Sequence, residues 1–95
     1  ELWSADRALA TGLVGEVCAD EELLAHTTAL ATRLASGPTF AFAQTKVLLR
    51  DGAGRSLADQ LHAEQAAGLL CGRSQDGAEA LKAAVEKRTP HFIGQ

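Results

Sequence analysis

The chain has 95 residues, enough for one domain at most, and its composition limits how much apolar surface that domain can bury. Alanine accounts for 19 residues, whereas leucine, valine, isoleucine, phenylalanine and tryptophan together account for 23. Elements built from such residues pack closely but bury little, so we expect a partner surface, either a second copy or another part of a longer polypeptide. The chain contains no methionine, and we expect it to be a fragment of a longer protein.

The charge and the few cysteines and histidines exclude several classes of protein. The net charge is −3, the pI is near 5.5, and the lysines and arginines are scattered, so no nucleic acid is expected as a partner. Cys18 and Cys71 are too few for a disulfide framework or a zinc site, and we expect two buried thiols in a reducing cytoplasm. His26, His62 and His91 lack the spacing of metal ligands, so no metal is expected. No apolar run is long enough to span a membrane.

The spacing of apolar residues predicts helices at about 4–11, 20–36, 38–50, 56–71 and 76–88. Ser4 is the predicted N-cap of the first helix, and Gly12 is placed to end it. Residues 13–17 are too short and too β-branched to continue the helix, and we expect a brief extended segment there. Asp20 is the predicted N-cap of the second helix, with two glutamates behind it.

The later helices are separated by residues that interrupt helical periodicity. Gly37 and Pro38 end the second helix and begin the third, and residues 51–54 read as a turn. In the last helix, Asp76 and Glu79 fit a capping box, in which both side chains bind free amides of the helix's first turn. No stretch alternates long enough to form a sheet, so the predicted fold class is all-α in a single helical region of residues 1–95.

Four stretches in order resemble the C-terminal part of the enoyl-CoA hydratase/isomerase family, the crotonases. They are SADRALATGLVGEV at 4–17, ALATRLASGPTFAFAQTK at 29–46, the set Leu57, Leu61 and Glu64, and SQDGAEALKAAVEKRTPHFIG at 74–94. Each stretch alone is weak, but the ordered set covers essentially the whole chain. Ala80 departs from the family, which often has glycine there. Ala84 stands where the family often has a phenylalanine near the adenosine end of coenzyme A, and the change could weaken that contact.

The resemblance implies the helical C-terminal, trimerisation region of a crotonase-like fold, without the N-terminal spiral of β-β-α turns. In this family the oxyanion-binding amides and the acid and base carboxylates lie in that spiral, so no catalytic residue is expected here. The helical part covers the acyl pocket, contributes to the coenzyme A site and helps build trimers or dimers of trimers. The implied parent enzyme is an enoyl-CoA hydratase or isomerase, with an acyl-CoA thioester as substrate and no other cofactor.

The isolated chain is expected to be inactive. A second hypothesis is a stand-alone helical association module without catalytic activity, and a third is an unrelated helical bundle with chance matches.

The resemblance also suggests three binding residues. Lys87 matches a family position that reaches the phosphates of coenzyme A, and a flexible ammonium suits phosphate as a point charge. Its alternative role is to complement the dipole of the helix C-terminus. Phe40 and Phe42 are candidates for lining the acyl pocket, although aromatics at helical spacing are often core residues.

Other conspicuous side chains have structural interpretations. Trp3 and Phe92 are expected to anchor packing, or to lie in a subunit interface. Glu64 and His62 are two residues apart and therefore point in different directions on a helix, so we do not expect them to form a catalytic pair.

Overall fold

A computed structural model describes residues 2–95 and shows helices without any strand in that range. The α-helices are α1 (Ala5–Ala10), α2 (Leu23–Ala35), α3 (Thr39–Gly52), α4 (Leu57–Arg73) and α5 (Gln75–Glu86), with a 3-10 helix at Asp20–Glu22. The predicted all-α class is confirmed. The chain divides into two compact units, Glu1–Thr32 and Arg33–Gln95. Among the described residues, no helix combines the length and apolarity needed to cross a membrane.

Helix α1 of the first unit begins and ends as its sequence predicts. The Ser4 hydroxyl accepts a hydrogen bond from the Arg7 amide at 3.2 Å, which makes Ser4 the N-cap. Gly12 has a φ of 74°, and the next amide, that of Leu13, donates to the Ala8 carbonyl at 2.9 Å. A left-handed glycine followed by an amide that bonds to a carbonyl five residues earlier is a Schellman motif, which ends the helix.

The segment that follows α1 corrects two predictions. Residues 13–15 form a bend and 16–19 lack regular structure, so the expected extended segment pairs with no strand. Ala19, not Asp20, occupies the N-cap position, and no side chain caps this helix start. The Glu22 amide donates instead to the Ala19 carbonyl, because the chain enters α2 through a 3-10 turn that already includes Asp20.

In the second unit, α4 packs against α3 and α5. The buried apolar residues are small: Ala67 of α4 and Ala83 of α5. No large side chain is fully buried in the described part of the chain. The larger side chains left exposed here include Leu49, Leu57, Leu61, Leu69, Leu70, Leu81 and Val85. Apolar exposure of this extent is typical of surfaces that pack against another protein surface.

Several helix ends differ from the predicted ones. α3 continues to Gly52, so the turn is confined to Ala53 and Gly54. α4 continues through Gly72 to Arg73, because one glycine near a helix end costs only about 1 kcal/mol. Ser74 alone joins α4 to α5, as the C-cap of one and the N-cap of the other.

The junction between α4 and α5 brings two backbones into close approach at Gly77. A Cβ atom on Gly77 would lie 2.2 Å from the carbonyl oxygen of Cys71 and 3.0 Å from that of Gly72. Glycine is therefore required there by space. Cys18 and Cys71 are free and only half-buried, unlike the buried thiols predicted, because the described part of the chain buries few side chains.

Candidate functional site

The C-terminal tail, residues 88–95, is bound to the start of α5 by Asp76. The Asp76 carboxylate accepts hydrogen bonds from the Ile93 amide (Oδ1, 2.7 Å) and the Gly94 amide (Oδ2, 2.9 Å). The Asp76 amide donates in turn to the Gln95 carbonyl at 2.8 Å. Asp76 is 4% exposed, so its charge is satisfied by these amides rather than by water. We call Asp76, Glu79 and their partners in the tail the tail clasp.

The capping box predicted for Asp76 and Glu79 is wrong. The N-cap is Ser74, whose hydroxyl accepts from the Gly77 amide at 2.9 Å. Asp76 lies inside the first turn of α5, where its side chain is directed to the tail, and Glu79 binds Arg88. The Ser74 hydroxyl caps the helix at the Gly77 amide, and the Asp76 amide, which the predicted box assigned to Glu79, donates to the Gln95 carbonyl instead. Both carboxylates therefore remain available for long-range partners.

Glu79 forms the second half of the tail clasp. Its carboxylate accepts from Arg88 Nη1 at 2.5 Å and Nη2 at 2.9 Å, and from the His91 amide at 2.9 Å. Arg88 Nε donates to Glu86 at 2.6 Å. The Arg88 bonds, followed by the His91 amide, lower the pKa of Glu79 to about 2. The same pairing with Glu79 and then Glu86 raises the pKa of Arg88.

The stabilisation that Glu79 contributes is expected to be lost in acid. Its pKa falls from an ordinary 4.5 to about 2 on folding, so the contribution is complete above pH 4.5 and disappears as the pH falls towards 2. Thermal unfolding midpoints of the whole polypeptide, measured down that pH range, should fall more steeply for wild type than for Glu79→Gln. Equal slopes would show that the ionised clasp contributes nothing to stability.

Lys87 lies at the end of α5 in a left-handed conformation, with φ 55° and ψ 40°. The Lys87 amide donates to the Ala84 carbonyl at 3.3 Å, and the Arg88 amide donates to the Ala83 carbonyl at 3.0 Å. These bonds are those of a Schellman end, which usually has glycine at this position. A left-handed lysine costs about 1–2 kcal/mol. The Lys87 side chain is exposed, and no hydrogen bond or ion pair involves its ammonium group within residues 2–95.

Two open grooves lie in the second unit. One, of about 400 Å³, lies along α3 and α4 and includes Glu64 and Cys71 in its lining. The other, of about 270 Å³, lies along the starts of α3 and α5 and includes Pro38, Asp76 and Phe92. Phe92 therefore contributes to an open apolar surface and is half-buried there.

The predicted acyl-pocket residues, Phe40 and Phe42, line neither groove. Phe40 is half-buried and Phe42 is 39% exposed. The Phe42 ring lies against Gly37, since a Cβ atom on Gly37 would be 2.7 Å from it. Both rings are at the start of α3, on surface that the chain itself leaves partly open.

Other side chains singled out in the sequence have partners within their own helix or unit. Glu64 accepts a hydrogen bond from Gln60 Nε2 at 3.1 Å, and no bond joins it to His62.

Trp3 is exposed, and the Arg7 guanidinium lies 4.4 Å from the centre of its ring, a cation–π contact. His26 pairs with Glu16. Within residues 2–95, no three His, Cys, Asp or Glu side chains are grouped to hold a metal ion.

The fold of the chain recurs as part of longer proteins of known structure. An enoyl-CoA hydratase from Geobacillus kaustophilus superposes with a TM-score of 0.93 and 32% identity, over 100% of this chain and 36% of that one. The model of the family described as enoyl-CoA hydratase/isomerase matches residues 1–95. The chain belongs to this family, and its likeness to the C-terminal part is confirmed.

Two curated relatives show the same extent of similarity. A Rhodobacter capsulatus protein named probable enoyl-CoA hydratase is 37% identical over 91 residues, which are 96% of this chain and 35% of the relative. The 1,2-epoxyphenylacetyl-CoA isomerase of Escherichia coli is 35% identical over 92 residues, 97% of this chain and 35% of the enzyme. The chain thus spans about a third of the length of the relatives it matches.

Proposed function

We propose that the chain is the C-terminal part of an acyl-CoA-handling enzyme and that Lys87 binds the phosphates of coenzyme A. The observation that carries this proposal is the exposed, left-handed Lys87 between Glu86, the last residue of α5, and Arg88 of the tail clasp, which are paired with each other. A lysine kept in a costly backbone conformation, with no side-chain partner among residues 2–95, suggests a ligand outside the chain.

The chemistry of the position agrees with a lysine on phosphate. The C-terminus of α5 carries partial negative charge from its last carbonyls, so it disfavours an anion. An ammonium group on a flexible stem reverses the sign of the local field and reaches beyond the helix end. The neighbouring Arg88 cannot do the same, because its guanidinium is already paired with Glu79 and Glu86.

The acyl part of the substrate is assigned to the surface at the start of α3. Phe40 and Phe42 are proposed to contact the acyl chain where the unit leaves them partly open. The reaction is water addition to a 2,3-enoyl-CoA or movement of its double bond, with acid, base and oxyanion groups outside these 95 residues. The exposed leucines of α4 are proposed to pack in a homo-oligomer, a trimer or a dimer of trimers.

An association module without catalytic activity is the second candidate. The observation in its favour is the large apolar surface left open on the second unit. The two candidates differ in their dependence on Lys87, because an association surface does not require an unpaired ammonium at the end of α5.

A Lys87→Gly variant of the whole polypeptide tests the proposed function. Glycine suits the left-handed conformation, so the fold is retained while the charge is removed. Loss of one charged phosphate contact of about 1.5 kcal/mol should raise the KM for crotonyl-CoA about tenfold. The KM for crotonyl-pantetheine, which lacks the nucleotide and its diphosphate, should be unchanged.

Lys82→Ala is the matched control, because it removes an exposed lysine charge from α5 that helps lower the pKa of Glu79 but forms no hydrogen bond or ion pair within residues 2–95. It should leave both KM values unchanged. An unchanged KM for crotonyl-CoA in Lys87→Gly, or an equal rise with both substrates, would refute the assignment of Lys87.

A further inference from the structure

The two residues beside Lys87 are both fixed by side-chain bonds that lead to Glu79. Arg88 Nη1 and Nη2 donate to the two oxygens of Glu79, and Arg88 Nε donates to Glu86 on the other side of Lys87. Glu79 also accepts the His91 amide, three residues after Arg88. A single carboxylate therefore fixes the chain on the far side of the left-handed turn and, through Arg88, on its near side.

We propose that Glu79 is a positioning residue for coenzyme A recognition, holding the turn at Lys87 in the conformation that presents its ammonium group to the phosphates. The inference deepens the proposed function and rests on it. Glu79 itself touches no ligand in this account, since its oxygens are occupied by Arg88 and the His91 amide.

The physical reason lies in the cost of the turn. A lysine disfavours the left-handed backbone conformation, and the two backbone bonds of the helix end oppose that preference only partly. The fork of Arg88 on a carboxylate restrains direction as well as distance, unlike a single point contact. Without Glu79, residues 87–91 can relax to right-handed or extended conformations, which carry the Lys87 side chain away from its bound position.

The clasp remains charged under any ordinary assay condition. Since the pKa of Glu79 is lowered to about 2, the carboxylate stays ionised at neutral pH. The positioning effect is therefore independent of pH across the neutral range, which separates Glu79 from an acid or base that takes part in proton transfer.

The test compares Glu79→Gln with Ser74→Ala in the whole polypeptide. Ser74 caps the opposite end of α5, so its loss weakens the helix without touching the turn at Lys87. Glu79→Gln should raise the KM for crotonyl-CoA about threefold, less than removal of Lys87, and leave kcat and the KM for crotonyl-pantetheine unchanged. Ser74→Ala should lower the unfolding midpoint and leave the ratio of the two KM values unchanged.

The double variant Glu79→Gln/Lys87→Gly decides how the effect is transmitted. If Glu79 acts only through Lys87, the double variant should have the KM of Lys87→Gly alone. Arg88→Lys keeps the positive charge but loses the two parallel hydrogen bonds to Glu79, so it should raise the KM for crotonyl-CoA as Glu79→Gln does. It replaces Glu79→Gln as the test if that variant does not fold.

The outcomes separate this inference from the proposed function. An unchanged KM for crotonyl-CoA in Lys87→Gly overturns the proposed function, and the inference with it. A Lys87 effect without any change of the KM ratio in Glu79→Gln overturns the inference alone. Two other results would also assign Glu79 a purely structural role. One is a double variant in which the KM increases of the single variants multiply. The other is a Glu79→Gln variant in which the KM rises equally for crotonyl-CoA and crotonyl-pantetheine.

Discussion

Replacing Asp76 by alanine is expected to release the C-terminal tail from α5. The buried carboxylate accepts two amide hydrogen bonds, from Ile93 and Gly94, and bonds to a charged group contribute about 1.5–3 kcal/mol each. The bonds share one anchor, so we expect a loss of about 3 kcal/mol in the free energy that holds the tail. The measurement is the thermal unfolding midpoint of the whole polypeptide together with protease sensitivity of the last residues.

Two other variants calibrate that result. Asp76→Asn keeps one acceptor oxygen and should lose about half as much. Asp59→Ala removes an exposed aspartate near the start of α4, whose carboxylate accepts a hydrogen bond from the nearby Ser56 hydroxyl and from no other group within residues 2–95. It should change stability by less than about 1 kcal/mol. A loss in Asp76→Ala no larger than in Asp59→Ala would mean that the tail is held by something other than the carboxylate.

Gly77→Ala is expected to disrupt the junction of α4 and α5. The added methyl group would lie 2.2 Å from the Cys71 carbonyl oxygen, and the obstacle is backbone, which cannot rotate away. Overpacking of this kind costs about 1–3 kcal/mol, and it should outweigh the gain of up to about 1 kcal/mol that alanine offers in a helix. The unfolding midpoint of the whole polypeptide should fall accordingly.

Gly68→Ala is the matched substitution with the opposite expected sign. Gly68 lies in the interior of α4, and nothing within 4 Å would meet its Cβ atom. Alanine should therefore raise stability by up to about 1 kcal/mol through helix propensity alone. If the two variants shifted the midpoint in the same direction, the close approach at Gly77 would not be the cause.

Local signals in the sequence predicted the ends of helices well where a single residue determines the end. Ser4 and Gly12 are examples, because an N-cap hydroxyl and a left-handed glycine act within four residues. The prediction of Asp20 as an N-cap was wrong, because the chain enters α2 through a 3-10 turn that begins at Asp20. No local signal distinguishes an N-cap from the first residue of such a turn.

The tail clasp was not predictable in the same way. Asp76 and Glu79 have the spacing of a capping box, but their partners are Ile93, Gly94 and Arg88, up to 18 residues away. Carboxylates near a helix start can bind either its own amides or remote ones, and spacing alone does not choose between them. Two signals point to the alternative: Ser74 is itself a good N-cap, and an arginine follows the end of the same helix.

The match to a family motif singled out Lys87 as a binding candidate, which stays a prediction, whereas nothing in the sequence indicated its backbone conformation. Non-glycine residues seldom occupy the left-handed region, so the residue type argues against the observed φ of 55°. In our account the conformation is held by Glu79, which binds Arg88, and by the bond from Arg88 back to Glu86. Phe40 and Phe42 stay predictions as acyl contacts, since their exposure fits both a pocket wall and a covered surface.

The central claim is that the carboxylates of α5 hold the tail before any ligand binds, and thereby set the turn at Lys87. Amide hydrogen exchange at Ile93 and Gly94, in the unliganded whole polypeptide, tests it most directly. We expect both amides to exchange far more slowly than those of a free chain end, because each is bonded to the buried Asp76. Exchange at the rate of an unstructured tail would contradict the account.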